Sequence, residues 1–93
     1  MRLIDYLDKG ASLGELCRLE GIPAAEVLAA GDHYNDLSML DGTYAAMVAC
    51  PDNAIPPVKE TVRAAGGYVA SKPWADGVAD AMLHYRAHEW QNA

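Results

Sequence analysis

A length of 93 residues and a mass of 10.0 kDa leave room for one domain, and a domain of this size buries only roughly 60–65% of its unfolded surface, so its stability margin is thin. Hydrophobic residues make up 52% and charged residues 22%, without low-complexity runs, which excludes a disordered chain. The formal charge is −6 and the basic residues are scattered singly, so no cationic stripe exists to neutralise a nucleic-acid backbone. The same acidity repels an anionic substrate unless a bound cation reverses the local sign. Cys17 and Cys50 share no metal-ligand or CxxC spacing and read as reduced core thiols. No apolar stretch of signal or membrane-spanning length occurs, so a cytoplasmic location and no membrane partner are expected.

In chain order, Arg2 to Leu7 suits a short strand, and Gly10 to Leu19 sets Leu13, Leu16, Cys17 and Glu20 at helical spacing. Gly21-Ile22-Pro23 breaks that pattern, and Pro23 to Glu26 reads as a short helical turn. Val27-Leu28-Ala29-Ala30 is apolar on both sides, as a buried strand must be. Asn35 to Leu40 predicts a short helix, and Ala45 to Ala49 a second apolar strand. Ile55 to Ala65 predicts a helix whose first turn tolerates Pro56 and Pro57 and which stops at Gly66-Gly67. Tyr68-Val69-Ala70 is a third buried strand, and Ala75 to His88 a last helix with Val78, Met82 and Tyr85 on one face. The tail from Glu89 to Ala93 shows no clear pattern and is expected to fray. Repeated strand-helix alternation predicts an α/β fold: a single domain over residues 1–93 with a parallel sheet of about four strands flanked by helices.

The segment Gly31-Asp32-His33-Tyr34-Asn35-Asp36 sets two carboxylates four residues apart where a buried strand hands over to a helix. Ligands of open parallel sheets bind at the carboxyl ends of strands. Asp32 is expected to project from the strand end, with Asn35 and Asp36 in the first helical turn, so that hard oxygen ligands converge beside a positive helix terminus. That setting suits Mg²⁺ together with phosphate. The plain structural alternative is that Asp32 or Asn35 only caps the helix.

Around that segment stand Lys9-Gly10-Ala11, Leu13, Gly21-Ile22, Glu26-Val27, Met39-Leu40, Asn53-Ala54, Lys59 and Gly77-Val78, in that order. This ordered set, covering nearly the whole chain, resembles the carboxyl-terminal core of the haloacid dehalogenase-like superfamily, in its Cof-type sugar-phosphatase branch. The resemblance implies a partial Rossmann-like, three-layer fold and an Mg²⁺-dependent phosphomonoester hydrolase. It implies that Asp32 binds Mg²⁺ directly and that Asp36 supports the metal or its waters. Asn35 would be a polar contact to phosphate or substrate, and Lys9 a catalytic, phosphate-facing lysine that offsets negative charge. An ammonium and a hard cation together stabilise a transferring phosphoryl group. Taken alone, Lys9 reads as a solvated residue at a helix start.

Members of that superfamily use an aspartate nucleophile in an Asp-x-Asp-x-Thr-type sequence, and none occurs here. Asp5-Tyr6-Leu7-Asp8 has the wrong spacing, and Ser12 and Thr43 are not placed to act as the family's second phosphate-binding hydroxyl. The nucleophile strand and the substrate-selecting cap are therefore expected to precede residue 1, leaving this chain inactive alone. The alternative is a non-catalytic module of the same descent that self-associates. His84 and His88, four apart, read as surface histidines rather than Zn²⁺ ligands. His33 is left unassigned, Trp74 and Trp90 read as packing or interface residues, and Asn53 as the cap of the helix that follows it. Because the strand ending at Gly31-Asp32 would lack its neighbour, its edge should pair with another copy. Analytical ultracentrifugation is expected to show concentration-dependent oligomers, and a clean monomer at high concentration would contradict this.

Overall fold

A computed structural model describes residues 9–92, with side chains up to residue 87. The predicted strand over Arg2–Leu7, Asp5 and Asp8, and the side chains of His88 and Trp90, lie outside the described residues. Helix α1 (Lys9–Glu20) leads through a 3-10 turn (Ala24–Glu26) into strand β1 (Leu28–Ala30). A second 3-10 turn (Tyr34–Asp36) runs into the single-turn helix α2 (Leu37–Leu40), and strand β2 (Met47–Cys50), helix α3 (Pro56–Ala64), strand β3 (Tyr68–Val69) and helix α4 (Trp74–Asn92) follow. The first two residues of the helix predicted over Asn35–Leu40 are thus 3-10 and the remaining four are α-helical. Helix α4 extends to Asn92, so the segment expected to lose its pattern after His88 is helical through residue 92.

Three of the expected strands lie among the described residues, in the order β1-β2-β3 and all parallel. Ala29 pairs with Val48, and Ala49 with Tyr68. Strand side chains alternate between faces, and the two faces differ. Ala29, Val48 and Cys50 join Leu40, Val58 and Val62 in the main buried cluster beneath α2 and α3. On the other face α4 lies across the sheet, and the Tyr85 hydroxyl donates to the Val48 carbonyl at 2.8 Å. Both proline positions and the stop of α3 follow the sequence reading: Gly66 N–H returns to the Arg63 carbonyl and Gly67 N–H to that of Val62, the paired bonds of a Schellman ending.

The core is built from small side chains, and Leu40 is the largest of those fully buried. In α1, Cys17 is buried but Leu16 and Leu19 are mostly exposed, so the helix contacts the body along a narrower stripe than its leucines suggested. Glycines form that stripe. A Cβ on Gly10 would stand 2.4 Å from the Ser38 carbonyl oxygen, and the Gly10 N–H donates to Ser38 Oγ at 3.0 Å. Backbone against backbone, this approach seats α1 against Ser38 and so brings Lys9 beside Asp36.

Alanine in place of an unconstrained helical glycine stabilises by up to about 1 kcal/mol. For Gly10→Ala the reverse sign is expected, a loss of roughly 1–3 kcal/mol, because the Ser38 carbonyl cannot rotate away. Gly14→Ala meets only the Tyr44 ring and should cost less. Urea denaturation of the two variants checks the ranking; equal or stabilising effects at Gly10 would contradict the close approach.

Candidate functional site

Strand β1 ends at Ala30, and from Gly31 the chain must turn within a few residues into the 3-10 turn. A Cβ on Gly31 would lie 2.5–2.6 Å from the Asp36 side chain, so only glycine lets the Asp36 carboxylate fold back beneath the loop. That carboxylate accepts the N–H groups of Asp32 at 3.0 Å and His33 at 3.2 Å on Oδ2, and the Lys9 ammonium at 2.6 Å on Oδ1. Asp36 is the buried charged residue among the described residues, at 5% exposure, while the Lys9 side chain is about half exposed, at 47%. One side chain therefore joins the start of α1, the end of β1 and the entry to α2.

Burial alone would push the Asp36 carboxyl up. The hydrogen bond from Lys9, the two loop amides and the ammonium charge outweigh burial and hold it below its ordinary value. A short charge-assisted bond in a partly dry setting is the strong kind. The cleft above this pair, about 440 Å³, is lined by Lys9, Ala30, Gly31, Asp32, Asp36 and Met39, and on its opposite side by Pro51, Trp74, Ala75 and Val78. It opens at the carboxyl ends of the strands, where parallel sheets bind their ligands.

Of the residues singled out in the sequence, Lys9, Asp32 and Asp36 come together in this cleft. Asn35 does not line it: it sits exposed in the 3-10 turn. Asp32 differs from Asp36 in that its carboxylate takes no hydrogen bond from any described residue, while its main-chain carbonyl accepts the Ile55 N–H at 3.1 Å. Among the described residues no group of three or more His, Cys, Asp or Glu forms a complete metal cage. Asn53 caps a different helix from the one expected: its Oδ1 accepts the Trp74 N–H at 2.7 Å, at the start of α4. Trp74, read from the sequence as a packing or interface residue, and Pro51, not singled out in the sequence, also line the cleft. Their positions after β3 and β2 were the available signal, by the same strand-end rule that pointed to Asp32.

Residues 4–82 match a family described as haloacid dehalogenase-like hydrolase. A phosphoglycolate phosphatase of Methanothrix thermoacetophila is 32% identical over 81 residues, 87% of this chain and 34% of that protein. A phosphoglycolate phosphatase of Methanosarcina acetivorans is 27% identical over 85 residues, 90% of this chain and 34% of that protein. The chain thus spans about a third of the length of these curated relatives. No solved structure matches it.

Because the folded state holds the Asp36 carboxyl below the ordinary value of 3.8, its contribution to stability is fully present above the unfolded value and is lost as pH falls through the folded one. Asp36→Asn should cost roughly 1–3 kcal/mol at pH 7. The gap between the variant and the parent should stay constant down to about pH 5 and narrow below about pH 4. Urea melts across that range measure both, and a gap that widens in acid would contradict the assignment.

Proposed function

The chain belongs to the haloacid dehalogenase-like hydrolases, and from that premise we propose that it is the metal- and phosphate-binding part of an Mg²⁺-dependent phosphomonoester hydrolase. The observation that carries this reading is one cleft at the carboxyl end of β1 holding a carboxylate without a hydrogen-bond partner among the described residues, Asp32, beside a fixed Lys9–Asp36 pair. The names of the two relatives support a phosphatase.

Mg²⁺ is typically bound by one or two carboxylates, with water and substrate phosphate filling the other positions. Asp32, the cleft carboxylate left without a hydrogen-bond partner among the described residues, fits that habit. Asp32 would be the direct ligand. Asp36 spends its oxygens on Lys9 and two loop amides, so its share is to fix the loop and, through it, the direction of Asp32. When bound, the cation would screen the charge on the phosphoryl oxygens. Lys9 has three N–H donors; one goes to Asp36, and the ammonium would present the others to a phosphate at the half-exposed rim. Asn35, exposed on the turn, would reach substrate only from outside the cleft.

The bond-forming carboxylate is proposed to come from residues beyond these 93, as is the cap that shares in selecting the substrate. Self-association and a cytoplasmic setting belong to the same proposal; among the described residues no helix is long and apolar enough to cross a membrane.

Titration with Mg²⁺, followed by the amide resonances of residues 31–36, is expected to saturate with a dissociation constant on the order of millimolar. Asp32→Asn should abolish the saturable component, whereas identical titrations of variant and parent would refute the metal assignment. The chain alone is expected to leave p-nitrophenyl phosphate intact, and Mg²⁺-dependent turnover that disappears with Asp32→Asn would show that it carries its own nucleophile.

A further inference from the structure

Trp74 lines the cleft with a large side chain that stays mostly in water. It is 67% exposed, although indole is among the costliest surfaces to leave in water. Its backbone has φ 52°, and it is the only non-glycine residue among the described residues with positive φ. A bulky residue in that region is an outlier that persists only where neighbours over-determine it. Here they do. Asn53 Oδ1 accepts the Trp74 N–H, Asp52 N–H donates to the Lys72 carbonyl, Ala70 N–H to that of Cys50, and Gly77 N–H to that of Pro73. Gly77 also sits so close to Lys72 and Pro51 that a Cβ there would have to displace them. The backbone from β3 into α4 is therefore pinned on both sides of Trp74, and Trp74 lines the cleft whose other wall is Lys9, Asp32 and Asp36.

Resting on the proposed phosphomonoester reading, we propose that Trp74 is a specificity-determining residue, the wall against which the flat apolar face of the substrate's organic portion packs while its phosphate lies toward Lys9 and Asp32. The chemistry suits an aromatic ring or the CH face of a sugar. It does not suit a two-carbon acid, which has no face to stack. The main-chain hydrogen bonds fix the backbone from which the ring projects before binding, so little main-chain freedom is lost when the ligand arrives.

The chain has two tryptophans, so a ¹H–¹⁵N spectrum shows two indole resonances, and Trp74→Phe identifies the one that matters. With Mg²⁺ present, the probes are inorganic phosphate, 2-phosphoglycolate and p-nitrophenyl phosphate. All three should shift the amides of Asp32 and His33. Only p-nitrophenyl phosphate should shift the Trp74 indole, and it should bind roughly 3–10-fold more tightly than inorganic phosphate. Trp74→Ala should erase that preference and leave inorganic phosphate binding unchanged, while Trp74→Phe keeps most of it; since the side chain is mostly exposed, the variants retain the core. A preference that survives Trp74→Ala, or a Trp74 response to 2-phosphoglycolate equal to that for the aryl ester, would overturn the assignment and leave the phosphate site standing. No amide response to inorganic phosphate would instead remove the phosphomonoester reading and this one with it.

Discussion

Everything in the site depends on one carboxylate that is almost entirely withdrawn from water. Burying a charge is unfavourable unless it is paired and hydrogen-bonded, and Asp36 meets that condition with the Lys9 ammonium and the amides of Asp32 and His33. These partners lie on two different segments, so satisfying a single side chain fixes the start of α1 against the end of β1. Gly31 leaves the space that the carboxylate fills, and Gly10 lets α1 come close enough for Lys9 to reach it. Removing either would displace the pair before it touched any ligand.

The division of labour between the two aspartates follows from this. Four residues apart and chemically identical, they differ in what surrounds them. Asp36 is folded inward and committed to internal bonds, while Asp32 lines the cleft and its carboxylate takes no hydrogen bond from any described residue. A proposed metal-binding role is therefore far more natural for Asp32, and the supporting role for Asp36 is mechanical: it holds the loop that aims its neighbour.

The scaffold around the site is economical in side-chain volume. The sequence contains no Phe, and the buried cluster is mostly Ala, Val and Cys around Leu40. Small residues allow short separations between layers, but each contributes little burial free energy, consistent with the thin margin expected for this length. The apolar groove of about 670 Å³ between Leu28, Met47, Met82 and Leu83 lies along β1, the edge of the described sheet. Met82 shares a helix face with Val78 and Tyr85 as its spacing indicated, yet it is 58% exposed, because that edge of the sheet leaves its side of α4 uncovered.

Local pattern sufficed for the alternation of strands and helices, the proline-started α3 and its glycine stop, and the placing of Asp32 and Asp36 at a strand end. These features are encoded by period and by backbone preference, both of which act over a few residues. The sequence by itself also determined the family, through an ordered series of short motifs spread over nearly the whole chain. It did not determine that Asn53 would cap α4 rather than α3, that Leu16 would face solvent, or that Asn35 would turn away from the cleft. Nor did it bring Trp74, 42 positions after Asp32 in the numbering, into the same cleft. Those outcomes rest on contacts between residues distant in the chain, where helix crossing, glycine-permitted approach and the register of parallel strands decide which side chains meet, and only the tertiary structure contains them.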